Sequence, residues 1–240
     1  MLRTLNSSNR KSLVIKRACP SLIKIASLHS VKNRLRLLEV ERKFPATLAA
    51  ISYLRSNGGG SAFKEPEPLK NKTIHDIYYD RNGCLFSKGV CVRFRNDFWE
   101  VKVRVGGDLI NSASIEIGGK SSIKEFIMQK LGISSYEGEI EDMLFCCAEF
   151  VTERESWMLD GEFKVHVDTT DFGHVVGKVK LSRFLGGFTE EREEGEEEIV
   201  KFVREEMDRE VEAFMISHPQ AFPAEQPVGK LSAYFQRVQR

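Results

Sequence analysis

The sequence predicts a mainly β protein of the α+β class, an antiparallel sheet flanked by helices. Three observations carry that expectation. Apolar and polar residues alternate in one short segment after another, charged residues recur on the same side of that alternation, and two longer stretches carry apolar residues at helical spacing. Successive side chains of a strand point to opposite faces, so the alternation gives each segment an apolar face and a charged one. Two arrangements satisfy the pattern. One is an open sheet with its apolar face on the core and its charged face in water. The other is a closed barrel whose charged face lines the lumen, with the apolar face turned outward against covering helices.

Taken in order, Leu38 to Phe44 places Glu39, Glu41 and Lys43 on one face and Leu38, Val40 and Arg42 on the other. A short helix is expected at 46–54, closed by Asn57-Gly58-Gly59-Gly60. Those glycines lack the Lys and Ser/Thr of a phosphate-binding loop and read as a turn. Val92 to Arg95 aligns Arg93 with Arg95, and Trp99 to Val105 sets Glu100, Lys102 and Arg104 against three valines. Ser122 and Glu125 form a capping-box pattern that opens a helix through Ile123, Phe126, Ile127 and Leu131, with Gly132 as its C-cap. Phe150 to Trp157 aligns Thr152, Arg154 and Ser156; Phe163 to Asp168 aligns Lys164, His166 and Asp168; Val175 to Leu181 aligns Lys178 and Lys180. A long helix is expected at about 189–216, its apolar stripe running through Ile199, Phe202, Val203, Met207, Val211, Phe214 and Met215. The acidic run at 190–198 reads as a solvated face or helix start. Lys230 to Tyr234 repeats the strand alternation.

Composition bounds the function. The 240 residues, 41% apolar and 30% charged, suffice for one globular domain. Nine Lys and Arg and no acid precede Glu39, whereas 27 basic and 35 acidic residues follow from there. The positive excess therefore sits in residues 1–37, a leader expected to be disordered or cleaved as a mitochondrial transit peptide, and residues 38–240 form the domain. A folded body with an acidic excess disfavours nucleic acid as a partner. Five cysteines, Cys19, Cys84, Cys91, Cys146 and Cys147, show neither a C-x-x-C pair nor zinc-finger spacing. No apolar run is long enough to cross a bilayer, and the mean hydropathy is −0.30. An intracellular protein, cytoplasmic or mitochondrial and without membrane contact, is expected.

Six motifs in order resemble the thiamine triphosphatase branch of the CYTH, or triphosphate tunnel metalloenzyme, superfamily. They are Glu39-Val40-Glu41-Arg42-Lys43-Phe44, Asp76-Ile77-Tyr78-Tyr79-Asp80, Arg93-Phe94-Arg95 with Trp99-Glu100-Val101-Lys102, Phe150-Val151-Thr152-Glu153-Arg154, Val167 to Gly173, and Gly229-Lys230-Leu231 with Tyr234. The resemblance spans most of 39–240. It implies a closed antiparallel tunnel barrel of eight strands with flanking helices, in a monomer that binds a small-molecule triphosphate. By position it implies that Lys43, Arg93, Arg95, Lys102, Arg154 and Lys230 grip the phosphates, a task suited to forked guanidinium groups. It further implies that Glu39 and Glu41 hold Mg2+. Lys43 with Tyr78 is similar to a base arrangement proposed elsewhere in the superfamily. The implied reaction is hydrolysis of the terminal phosphate of thiamine triphosphate or a related triphosphate.

Departures fall where that chemistry is centred. His166 stands at a metal-binding aspartate of the family, and Lys178 and Lys180 stand at its two metal-site glutamates. With His neutral, the local formal charge moves from −3 to +2. His166 could offer a nitrogen ligand, but Mg2+ prefers oxygen. The lysines could pair with Glu39 and Glu41 or bind phosphate directly. The alternative expectation is therefore a metal-independent, non-catalytic protein that binds triphosphate or polyphosphate. The family's thiazole-stacking tryptophan is replaced by Cys91, which places thiamine specificity in question.

Overall fold

The computed structural model describes residues 16–17, 36–185 and 196–239. The expected basic leader, residues 1–37, lies outside the described residues except at its Lys16–Arg17 pair (β1) and at Arg36 and Leu37, which open the next strand. Eight further strands follow: β2 (Arg36–Phe44), β3 (Glu67–Asp80), β4 (Val90–Arg95), β5 (Phe98–Gly107), β6 (Asn111–Ile117), β7 (Phe145–Leu159), β8 (Phe163–Thr170) and β9 (Val175–Leu185). They pair antiparallel in the order β9-β2-β6-β5-β4-β3-β7-β8, and β8 pairs back onto β9, so the sheet closes into a ring. The short β1 pairs with the end of β9 at Arg183 and Phe184, beyond the reach of β8.

The apolar faces turn outward. Leu38 and Val40 of β2, Val165 and Val167 of β8, and Val179 and Leu181 of β9 pack with Val203, Met207, Val211 and Phe214 of helix α6 (Glu196–Ser217). Arg42, on that same outer face, clamps α6 through Asp208 at 2.9 Å and Glu212 at 3.0 Å. A second outer core joins Val90, Val92 and Val101 to Leu85 of α3 (Cys84–Ser87), to Ile123 and Ile127 of α4 (Lys120–Leu131) and to Ile140 and Met143 of α5 (Ile140–Met143). Closing the ring leaves the opposite faces, which carry the charges, pointing into the lumen. The closed alternative is the one adopted.

The first short helix and the glycine turn form as expected, and two later elements differ. Helix α1 (Leu48–Arg55) begins at Thr47, whose side chain accepts a hydrogen bond from the Ala50 amide, and the glycine run forms a tight turn, α2 (Asn57–Gly60). Helix α4 starts two residues before Ser122, so that the capping box does not form; Gly119, at φ 86°, lets the chain turn earlier. Its C-cap Gly132 is left-handed, as expected. Lys230 to Tyr234 is not a strand but the start of helix α7 (Lys230–Val238). Five alternating residues fit either period, and the spacing of Leu231, Tyr234 and Phe235 is helical. The first seven residues of the expected long helix, 189–195, lie outside the described residues, and α6 accounts for the rest.

Helix α7 settles where the lumen ends. Tyr78, Phe150 and Ala148 share the inward faces of β3 and β7, and Leu231, Tyr234 and Phe235 pack against them. Tyr78 stacks on Phe150 at 5.4 Å, and Tyr234 meets Phe150 at 5.7 Å. One end of the lumen is thus apolar and filled by α7, and the charged part lies beyond it.

The seam between β9 and β2 has one steric requirement. Gly177 stands opposite Phe44, which is fully buried, and a Cβ at position 177 would overlap the Phe44 ring. Gly177→Ala is expected to lower the unfolding free energy in urea by about 1–3 kcal/mol, as overpacking does, with partial recovery on adding Phe44→Leu. An unchanged urea midpoint would contradict this account of the seam.

Candidate functional site

Eight cations, Lys43, Arg93, Arg95, Lys102, Arg154, Lys178, Lys180 and Lys230, meet six carboxylates, Glu39, Glu41, Asp76, Glu100, Glu116 and Asp168, in three sets of ion pairs around the lumen. Alternation along the strands brings them together. Glu39, Glu41 and Lys43 share the inner face of β2. On β9, Ser182 stands opposite Glu39, Lys180 opposite Glu41, and Lys178 opposite Lys43.

Glu39 is 2% exposed and takes Lys102 on one oxygen at 2.5 Å and Lys180 on the other. Burial alone would raise its pKa, but Lys102 and Lys180 outweigh burial and hold the carboxyl well below its usual range. Glu41 takes Lys178 and Lys43, each at 3.3 Å, and is also held low against burial, by Lys178 first. Burial pulls the Lys178 ammonium down to about 7, against the attraction of Glu41. Lys102 moves the other way: Glu39 and Glu41 raise it against its burial.

A second group forms around two buried aspartates. Asp168 accepts Nε and Nη2 of Arg154 at 2.6 and 2.8 Å and lies 3.0 Å from Lys230. Asp76, whose side chain is sealed from solvent, accepts Nε and Nη2 of Arg95 at 2.6 and 2.8 Å. Each aspartate sits deeper than its arginine and fixes the guanidinium plane while the remaining N–H groups stay available to the lumen. Arg93 donates Nε and Nη2 to a single oxygen of Glu100, Nε at 2.8 Å, and here the carboxylate is the more exposed partner. Lys230, entering from the first turn of α7, also donates to Thr152 Oγ1 at 3.1 Å.

The remaining candidates are placed as follows. His166 is buried, and its Nδ1 lies 2.7 Å from Ser156 Oγ. Lys43 donates to the Leu109 carbonyl at 2.6 Å, at the edge of a cavity of about 140 Å³ lined by Glu41, Cys91, Lys102 and Arg104. Tyr78 lies at the apolar end against Phe150. No hydrogen bond joins it to Lys43 among the described residues, and burial followed by Asp76 pushes its phenol far up. A phenol held protonated is unsuited to act as a base. Trp99 packs on Tyr79 and Phe94, and Trp157 joins the outer core, so both tryptophans face away from the lumen.

Mg2+ does not fit this donor set. The carboxylate oxygens of Glu39 and Glu41 are engaged by four ammonium groups, and among the described residues no group of three or more His, Cys, Asp or Glu could hold a metal ion. Among the described residues no helix is long and apolar enough to cross a membrane. The alternation placed Ser156, Asp168 and Glu100 on the inner faces but gave no sign of their pairing. Strand β6 and its Glu116, which accepts Lys102 at 2.9 Å, went unread, although Ala113, Ile115 and Ile117 alternate.

No protein-family model and no curated protein matches the chain. Among solved structures it is similar to HpAC1 of Hippeastrum, described as an adenylyl cyclase candidate with a dominant triphosphatase activity. That match has 16% identity and a TM-score of 0.45, and covers 85% of this chain and 96% of that one. It is also similar to an adenylate cyclase candidate of Vibrio parahaemolyticus (16% identity, TM-score 0.47, 83% and 98% covered). A third likeness is to the PH1819 protein of Pyrococcus horikoshii (16%, 0.43, 84% and 99%).

The network predicts acid sensitivity of definite sign. Arg154 and Lys230 depress the Asp168 carboxyl against its burial, so its contribution is complete above the unfolded pKa of about 3.9 and fades as the pH falls below it. Asp168→Asn is expected to cost about 3 kcal/mol near pH 7, with the gap to the parent narrowing steadily as the pH falls below about 4. Urea titrations across that range measure it, and a gap independent of pH would refute the assignment.

Proposed function

We propose that this chain binds a triphosphate or a related polyphosphate in its cationic lumen without a divalent metal and without metal-dependent hydrolysis. The observation that carries this reading is the closure of Glu39 and Glu41 by Lys102, Lys180, Lys178 and Lys43. Four positive charges already face two carboxylates. A dication added there would meet repulsion of several kcal/mol per ammonium even at an effective dielectric of about 20. A polyanion meets the opposite field. Arginines oriented by Asp76, Asp168 and Glu100, together with Lys230 and the two lysines of β9, offer fixed donors around a narrow lumen, which suits a chain of phosphate groups.

Hydrolysis of the thiamine triphosphatase type would require metal on Glu39 and Glu41, and their occupied oxygens weigh against it. Recognition of a thiazole ring has no support either. Cys91 takes the inward position two residues before Arg93, and both tryptophans point outward.

Calorimetric titration of the full chain with inorganic triphosphate tests the reading. Binding is expected to persist in EDTA and to weaken as salt is raised. It is expected to weaken at least tenfold in Lys178→Met/Lys180→Met. Sustained phosphate release that requires Mg2+ would establish the hydrolase instead, and absence of binding at low salt would end the proposal.

A further inference from the structure

Ser156 and His166 are opposite neighbours on β7 and β8, and His166 is in turn the neighbour of Lys178 on β9. All three face the lumen. Both members of the Ser156–His166 pair are buried, at 5% and 6% exposure, and they engage each other at 2.7 Å. That contact occupies Oγ and Nδ1 and leaves the imidazole Nε2 without a partner among the described residues. Among the described residues no buried side-chain nitrogen or oxygen lacks both a partner and solvent, so Nε2 retains solvent contact on the lumen side. The charges acting on the ring are Arg154, Lys178 and Lys180 together with Asp168, and burial and the three cations keep the imidazole neutral.

We propose that His166 is a phosphoryl acceptor: its Nε2 takes the terminal phosphoryl group from a triphosphate held in the lumen. This rests on the triphosphate binding proposed above. In the step, the Nε2 lone pair forms a bond to the terminal phosphorus. The bridging P–O bond breaks, and its electron pair leaves with diphosphate. Nδ1 holds the ring proton while the bond forms, donating it in a hydrogen bond to Ser156 Oγ, and releases it to water after diphosphate has left, which returns the phosphorylated ring to neutrality. Arg154, Lys178 and Lys180 flank the ring and supply the counter-charge for the entering phosphoryl group and the departing diphosphate, so the step needs no metal. The product is an N-phosphoryl imidazole, and Ser156 fixes which ring nitrogen receives the group. Its role is positioning.

The experiment incubates the full-length protein with inorganic triphosphate in EDTA and follows binding by calorimetry. Parallel samples are quenched in alkali, and their intact mass and phosphopeptides are read. The expected result is the gain of one phosphoryl group at His166, stable to alkali and lost in acid, with loss of the modification in His166→Gln. Ser156→Ala is expected to retain modification while redistributing part of it to Nδ1, which distinguishes the two phosphohistidine isomers by their NMR shifts. Binding of triphosphate to the parent protein without any mass gain would overturn the acceptor assignment and leave the binding proposal standing. Acid-stable phosphate on Ser156 would overturn it equally. Absence of binding would remove both.

Discussion

Glu39 and Glu41 lie inside a closed ring of strands, and a carboxylate taken from water into such a place must be neutralised at close range. That requirement organises the structure. Two solutions are open to a polypeptide here: a divalent ion shared with further carboxylates, or ammonium groups supplied by neighbouring strands. This chain has Lys178 and Lys180 on β9, directly across from β2, and Lys102 on β5 reaching from the other side. Each carboxylate receives two ammonium groups, and the cost of burying the lysines shows in Lys178, whose ammonium is drawn down to about 7. The ring cannot shed these lysines without leaving buried charge unpaired.

The same logic extends around the lumen. Asp76 and Asp168 are more deeply buried than Arg95 and Arg154, so the aspartates serve as the fixed members and the guanidinium groups as the oriented ones. An arginine with two N–H groups tied to a deep aspartate has little rotamer freedom left to lose when an anion arrives, and pre-organisation of that kind favours binding. Helix α7 contributes twice, closing one end with Leu231, Tyr234 and Phe235 and delivering Lys230 to Asp168.

Most of this was legible in the sequence because a period of two is a strong signal when one face is charged. Glu39, Glu41 and Lys43, and likewise Arg93 and Arg95, could be assigned to a common face from spacing alone, and the outward turn of Leu38 and Val40 followed from closure of the ring. Alternation could not decide between an open sheet and a closed one, since both present the same pattern along each strand. It failed at Lys230 to Tyr234, where five residues are too few to separate strand from helix, and at Asn111 to Ile117, where serines blur the polar face. The carboxylate partners stayed hidden for another reason. Pairing between Arg154 and Asp168 or between Lys102 and Glu116 depends on which strands are neighbours, and periodicity within a strand carries no such information.

The central claim is that lysine ammonium groups stand where a divalent ion would otherwise be required. It is tested most directly by titrating the ligand-free protein with Mn2+, a magnetically visible substitute for Mg2+, and following the free-ion signal by electron paramagnetic resonance. The account predicts no saturable uptake by the natural sequence and saturable uptake by Lys178→Glu/Lys180→Glu, in which carboxylates replace the ammonium groups beside Glu39 and Glu41. Stoichiometric uptake by the natural sequence that Glu41→Gln abolishes would contradict it.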